Sequence, residues 1–143
     1  MSKFIFKFDS IIRVKEVLEK KVLKEISLIE KEIENAHFKK NSLINKKRAL
    51  FDSITSGHIK VFEFKSAKIH IKSIEKDIHN IEKKIKELEN RKEQKKGELI
   101  QRKKELKIFE TLKENKLEEF IFENSKEDLK IMNEIAINNF VRK

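Results

Sequence analysis

Ala67, Ile71, Ile74, Ile78, Ile81, Ile85, Leu88, Lys92, Lys95, Leu99, Arg102, Leu106 and Phe109 follow one another in alternating steps of four and three residues. That spacing holds every position on one stripe of an α-helix and forms the seam of a coiled coil. Only the basic stretch from Lys92 to Arg102 dilutes the apolar character. Past Phe109 the pattern continues less strictly through Leu117, Ile121, Ile131 and Ile135.

A second series precedes the first. Phe8, Lys15, Val22, Ile29, Ala36, Leu43 and Leu50 recur every seven residues. A companion row begins Phe4, Ile11, Leu18, then shifts by one residue to Ile26 and Ile33, a mild adjustment of register near Val22. Between the two series, Asp52, Ser53, Thr55, Ser56 and Gly57 form the chain's one cluster of turn and capping residues. Gly57 can take the left-handed conformation that ends a helix, and Ser56 can supply an N-cap oxygen. A short helix–helix connection makes the neighbours antiparallel.

The expectation is therefore an all-α fold, one long antiparallel coiled-coil hairpin filling residues 1–143 as a single domain. Helix 1 should span about residues 5–51, the turn about 52–57 and helix 2 about 58–140. A tip at residues 54–57 makes facing residue numbers sum to roughly 111, which sets residue 8 beside residue 103. Everything past about 107 then overhangs helix 1, carrying Leu112, Phe120, Phe122, Met132 and Phe140. With the Phe-rich N-terminus, this end reads as a docking surface, or else as a frayed helix or a homodimer contact. Gly97, inside helix 2, marks a bend or a close approach, or is simply tolerated there.

Composition fits this class. Charged residues make up 42 % of the chain, proline is absent and glycine occurs twice. Net charge is +10, from 35 Lys and Arg against 25 Asp and Glu, which suits an acidic protein surface, a nucleic acid or an anionic membrane. The stretch 91–104 is dense in base and would fold back beside Arg13, Lys15, Lys20 and Lys21. It holds no Phe, and the chain has no Trp or Tyr, so stacking platforms for single-stranded nucleic acid are missing there. A solvated charged shaft is the plainer reading.

Catalytic chemistry finds little support. His37, His58, His70 and His79 include no pair three or four apart, and cysteine is absent, so no zinc-ligand spacing exists. No glycine-rich phosphate loop occurs, and the carboxylates alternate with lysines as on solvated helix faces. The expectation is a non-enzymatic protein without cofactor or metal. No apolar run reaches the roughly 18–20 residues of a membrane span, and MSKFIFKFDSII is too short and too charged for a signal peptide.

Three stretches resemble the FliJ family over the whole chain. FKFDSIIRVKEVLEK (6–20) is similar to the family's aromatic lead-in. SITSGHIKVFEFKSAKIHIKSIEKDI (53–78) resembles its turn and the start of its second helix. KKELKIFETLKENKLEEFIFENSKEDLKIMNEIAINNF (103–140) carries the most specific motifs. Leu106, Phe109 and Leu112 fill a Leu-x-x-aromatic-x-x-Leu block. Lys130, Met132, Glu134, Ile135 and Ala136 match a Lys-x-apolar-Asp-Glu-apolar-Ala ending, with Asn133 in place of the Asp, so one charge of that ending is lost.

The resemblance implies a fold like the coiled coil of the rotary ATP synthase γ subunit and a part in flagellum biogenesis, motility and type III protein export. It implies a stalk in the pore of the hexameric export ATPase FliI, promoting its assembly. Contact with the export gate FlhA, escort of substrate chaperones and FliH as a further candidate partner also follow from it. The place implied is cytoplasmic, peripheral to the inner face of the membrane. By the same resemblance, ATPase binding falls on the terminal end: Phe4, Phe6, Phe8, Leu112, Phe120, Met132, Glu134 and Ile135. Gate binding falls on His70, Ile74, Asp77 and Ile81, although both isoleucines also belong to the seam. The alternatives are the stalk of a virulence-type secretion system, a freestanding homodimeric scaffold or a basic nucleic-acid-binding coil.

Overall fold

The computed structural model describes residues 3–57 and 59–142; His58, the expected start of helix 2, lies outside them. Two long helices make up the fold, α1 (Asp9–Thr55) and α2 (Val61–Val141), packed against each other as an all-α helical hairpin. No strand occurs among the described residues.

Every one of the thirteen seam positions from Ala67 to Phe109 is buried or half-buried, while most positions between them are exposed. On α1 the row Lys15, Val22, Ile29, Ala36, Leu43, Leu50 is covered in the same way. The companion row slips: Ile11 is exposed and Ile12 is buried in its place. The slip arises because the helix does not begin near residue 5. Residues 3–6 lack helical structure, Phe6 O accepts from Asp9 N–H in a turn, and the first helical bond is Ile12 N–H to Phe8 O. Asp9 and Ser10 then open α1 with an acidic residue in its first turn, where the helix dipole favours negative charge.

The chain reversal also lies later than expected. α1 runs on through Asp52 and Ser53 to Thr55. Ser53 Oγ donates to Leu50 O at 2.8 Å, Thr55 Oγ1 to Phe51 O at 3.1 Å, and Ser56 Oγ to Ser53 O at 3.3 Å. These hydroxyls meet carbonyls of the last turns of α1, so Ser56 closes α1 and does not cap α2. Gly57, with φ 129°, provides the positive-φ step after it.

The chain divides into two compact units, residues 21–99 and residues 1–20 with 100–143. In the first, α1 and α2 are cross-linked by Lys47–Glu75 (3.1 Å), Lys40–Glu82 (3.3 Å), Lys92–Glu30 (3.2 Å) and Lys95–Glu25 (2.6 Å). In the second, Lys15–Glu105 (2.9 Å) and Lys113–Asp9 (2.7 Å) do the same. The two residue numbers of each pair add to 120 or 122, not 111. The later reversal accounts for this. The consequence is large for the terminal end, because α1 reaches farther along α2 than the sequence suggested.

Candidate docking surface

Phe4, Phe6 and Phe8 alternate along a short extended strap, and the alternation sets all three against α2 while Ile5 and Lys7 stay exposed. Phe6 (6 % exposed), Ile12 and Leu106 form a small core, packed round by Phe4, Phe8, Phe109 and Leu112. The rings meet in tilted and edge-on geometry. Phe8 lies 6.0 Å from Phe109, Phe6 5.7 Å from Phe8, and Phe4 5.4 Å from Phe120. Such pairs add to plain area burial. A groove of about 540 Å³ runs beside the strap, with Lys3, Lys116 and Glu119 among its lining residues.

Five of the eight residues assigned to the ATPase-binding end (Phe4, Phe6, Phe8, Leu112 and Phe120) therefore pack against one another within this unit. They are thus at least partly covered by one another. The reason is the strap, whose period-two pattern had been absorbed into a helix.

Beyond it the picture reverses. From Ser125 to Arg142 every residue is exposed, although the chain stays helical to Val141. Met132 (66 % exposed), Ile135, Leu129, Ile131, Ile137 and Phe140 all stand open to solvent, and Glu134 lies exposed among them. Leu117, Ile121, Ile131, Met132 and Ile135 share one helical face, and Phe122, Leu129, Ala136 and Phe140 widen it. Lys126 sits 4.7 Å from the Phe122 ring centroid in a cation–π contact. By helical spacing Glu119, Glu123, Glu127 and Glu134 fall on the opposite side, while Glu118 and Asp128 lie within the apolar face. Residues 117–142 carry six Asp and Glu against three Lys and Arg, so this end is acidic in a basic chain.

Of the residues assigned to gate binding, His70 and Asp77 are exposed. Ile74 (3 % exposed) is core, and Ile81 is half-buried in the same seam. The four share no single open face: the two polar residues are available and the two isoleucines hold the hairpin.

In the basic stretch 91–104, four of the seven cations are paired with acid. Lys92 pairs with Glu30, Lys95 with Glu25 and Glu98, Lys96 with Glu93, and Arg102 with Glu105. Contact with the Lys95 ammonium holds the Glu25 carboxyl below its ordinary value against an opposing push from burial. Lys15 does the same for Glu105, and Glu25 and Glu98 raise Lys95. Among the described residues no group of three or more His, Cys, Asp or Glu is placed to hold a metal ion. No helix among them is long and apolar enough to cross a membrane.

A two-helix hairpin with an aromatic strap at its open end and a long bare extension of α2 is the arrangement to be placed among known proteins. The family described as flagellar FliJ protein matches residues 4–143, essentially the whole chain. The chain belongs to the FliJ family. Neither the curated proteins nor the solved structures yield a match. Membership makes this a protein of flagellar export. It also falls on both surfaces described above, the strap and the bare end of α2, since the matched residues include them.

Proposed function

We propose that this FliJ-family chain is the stalk of the flagellar export ATPase, seating its terminal end in the pore of the FliI hexamer. The observation that carries the reading is the bare α2 extension. A helix that stays formed while leaving Met132, Ile135, Leu129 and Phe140 in water needs a partner to cover that face. The strap and its Phe cluster act as the collar that fixes the extension's root. Met132, Glu134 and Ile135 make the contact, and Phe4, Phe6, Phe8, Leu112 and Phe120 support it from behind.

A ligand that binds hexamer better than monomer shifts assembly by mass action, and hydrolysis rises with no chemistry on this chain. Gate contact with FlhA then rests on His70 and Asp77, the open members of their set. Escort of substrate chaperones, an association with FliH and a place at the inner face of the membrane follow from the same family role.

The test is titration of the full chain into the cognate export ATPase, following ATP hydrolysis and oligomer size together. Rising activity with hexamer formation is the expected result. No effect at low salt and several-fold excess moves the weight to a freestanding scaffold, in which the bare face is a homodimer contact.

A further inference from the structure

The surplus positive charge is not spread along the hairpin. Residues 35–74, which flank the reversal on both helices, contain nine Lys and Arg and only Asp52 and Glu63 as acids. That is +7 of the chain's +10. Of the nine, Lys40 and Lys47 reach across to acids on α2. The other seven are exposed and have no acidic partner among the described residues. In the stretch 91–104, by contrast, four of the seven cations (Lys92, Lys95, Lys96 and Arg102) are held in ion pairs.

The same segment exposes large apolar side chains at the reversal itself. Phe51 lies in the last turns of α1, while Val61, Phe62 (82 % exposed) and Phe64 begin α2. These side chains leave the seam to Leu50, Ile54, Ile59 and Ala67, which are half-buried beneath them. They are therefore not a failed part of the core. They flank a chain reversal, with the exposed Arg48, Lys60, Lys65 and Lys68 interspersed.

We propose that this tip is a docking surface for an anionic lipid membrane. Basic side chains gain from the negative surface potential of such a membrane, and exposed apolar rings among them enter the headgroup boundary. Three features favour lipid over other anions. Eight of the nine cations are Lys, strongly hydrated point charges suited to a diffuse layer of headgroups; a defined carboxylate or phosphate is better met by the fork of Arg. The apolar groups are exposed side by side with the cations at a chain reversal, where a flat, deformable partner can cover them. Single-stranded nucleic acid needs aromatic faces aligned along a channel, which a chain reversal does not provide. The inference does not depend on ATPase binding, which concerns residues of the other compact unit.

The experiment is flotation of the full chain with phosphatidylcholine vesicles, with and without phosphatidylglycerol, at low and physiological salt. Binding is expected only to vesicles containing phosphatidylglycerol. The combined Lys60→Glu, Lys65→Glu, Lys68→Glu variant should lose at least about a hundredfold in partitioning, at roughly fivefold or more per cation. Phe51→Ser with Phe62→Ser should lose about tenfold or more and should raise salt sensitivity, because the salt-independent part of the binding is apolar. Circular dichroism of each variant should match the parent, since all these side chains are exposed. Absence of binding to phosphatidylglycerol vesicles overturns the proposal. So does binding unchanged by the Phe substitutions, which would be simple charge attraction. Tighter, Phe-dependent binding to polyglutamate or to an oligonucleotide of matched charge overturns it in favour of an acidic protein or a nucleic acid.

Discussion

α2 is one helix living in two environments. From Ala67 to Phe120 it is covered along one stripe by α1 and then by the aromatic strap; from Ser125 onward nothing described covers it. Both stretches are rich in Ile and Leu, and both are helical. The difference lies in phase. The covered stretch repeats every three or four residues without a break, so its apolar atoms gather into a narrow seam that a second helix fills. In the bare stretch the apolar residues spread over more than half the circumference, with Ile137 and Val141 on the side of Glu127 and Glu134 and with Asp128 among the others. A single antiparallel helix would leave much of so broad a face wet, which suits a cleft or several helices.

One substitution made in both places exposes the contrast most sharply. Ile85→Asp puts an unpaired carboxylate into the seam and should cost more than about 3 kcal/mol, enough to abolish cooperative unfolding in a hairpin of this kind. Ile135→Asp, at a solvated site, should leave the urea midpoint unchanged within about 0.5 kcal/mol. If the proposed stalk role holds, Ile135→Asp together with Met132→Asp should nevertheless remove stimulation of the export ATPase. A large loss of stability from Ile135→Asp would mean that the bare face is already covered, most simply by a second copy of the chain.

The strap lies between these extremes. Phe6→Ala removes a buried ring from a terminal segment and should cost about 3 kcal/mol, the lower end for a buried Phe, because a strap can detach without unfolding the helices beneath. Hydrogen exchange separates the two. Faster exchange confined to residues 9–12 and the root of the extension fits local detachment. A matching rise around Leu88 would show that the strap supports the whole hairpin.

Much of this contrast was legible in the residues, and the exceptions have physical causes. The seam of α2 was readable in full because a heptad repeat reports one thing, a stripe facing a helix. The reversal was found but placed early, since Ser and Thr serve equally well inside the last turn of a helix, bonding back to carbonyls, as after it. The strap is hidden because Phe4 and Phe8 fit the two heptad rows of a helix, although FIFKF also alternates with period two, the mark of an extended segment. Read as a helix, the segment leaves Phe4, Phe6 and Phe8 without the cover that α2 gives them. The basic tip was hidden because density of Lys and Arg was weighed without the acids facing them, and pairing across helices is a property of register.

Acid should loosen the covered stretch and spare the extension. Glu25 and Glu105 titrate below their ordinary value of 4.5 in the folded chain, so the unfolded state binds protons first as pH falls. Their contribution is complete above about pH 4.5 and is lost as pH drops through their lowered folded values. Lys95, raised above 10.5, adds a mirror-image loss as pH climbs through its folded value. Urea midpoints should be flat between these limits and fall on either side. Lys95→Met should flatten the acid limb where Glu25 contributes and leave the part due to Glu105. An acid limb unaltered in Lys95→Met would remove Glu25 from the account.

The smallest effect tests whether the two stretches are energetically linked at all. Gly97 lies in the covered stretch, yet a Cβ built there meets nothing within 4 Å, so neither a bend nor a close approach requires it. Gly97→Ala should raise global stability by up to about 1 kcal/mol through helix propensity alone. Asn133→Ala offers a similar but smaller gain, about 0.6 kcal/mol, in the exposed extension. In the covered stretch the gain must appear in the unfolding midpoint, because fixing that turn is part of forming the hairpin. In the extension it should appear only as slower local exchange near residue 133, because the extension can fray while the hairpin stays folded. Equal shifts of the midpoint from both substitutions would mean that α2 folds as a single cooperative unit to its end. The bare face would then be held ready for its partner by the hairpin itself, with no ordering left to be done on binding.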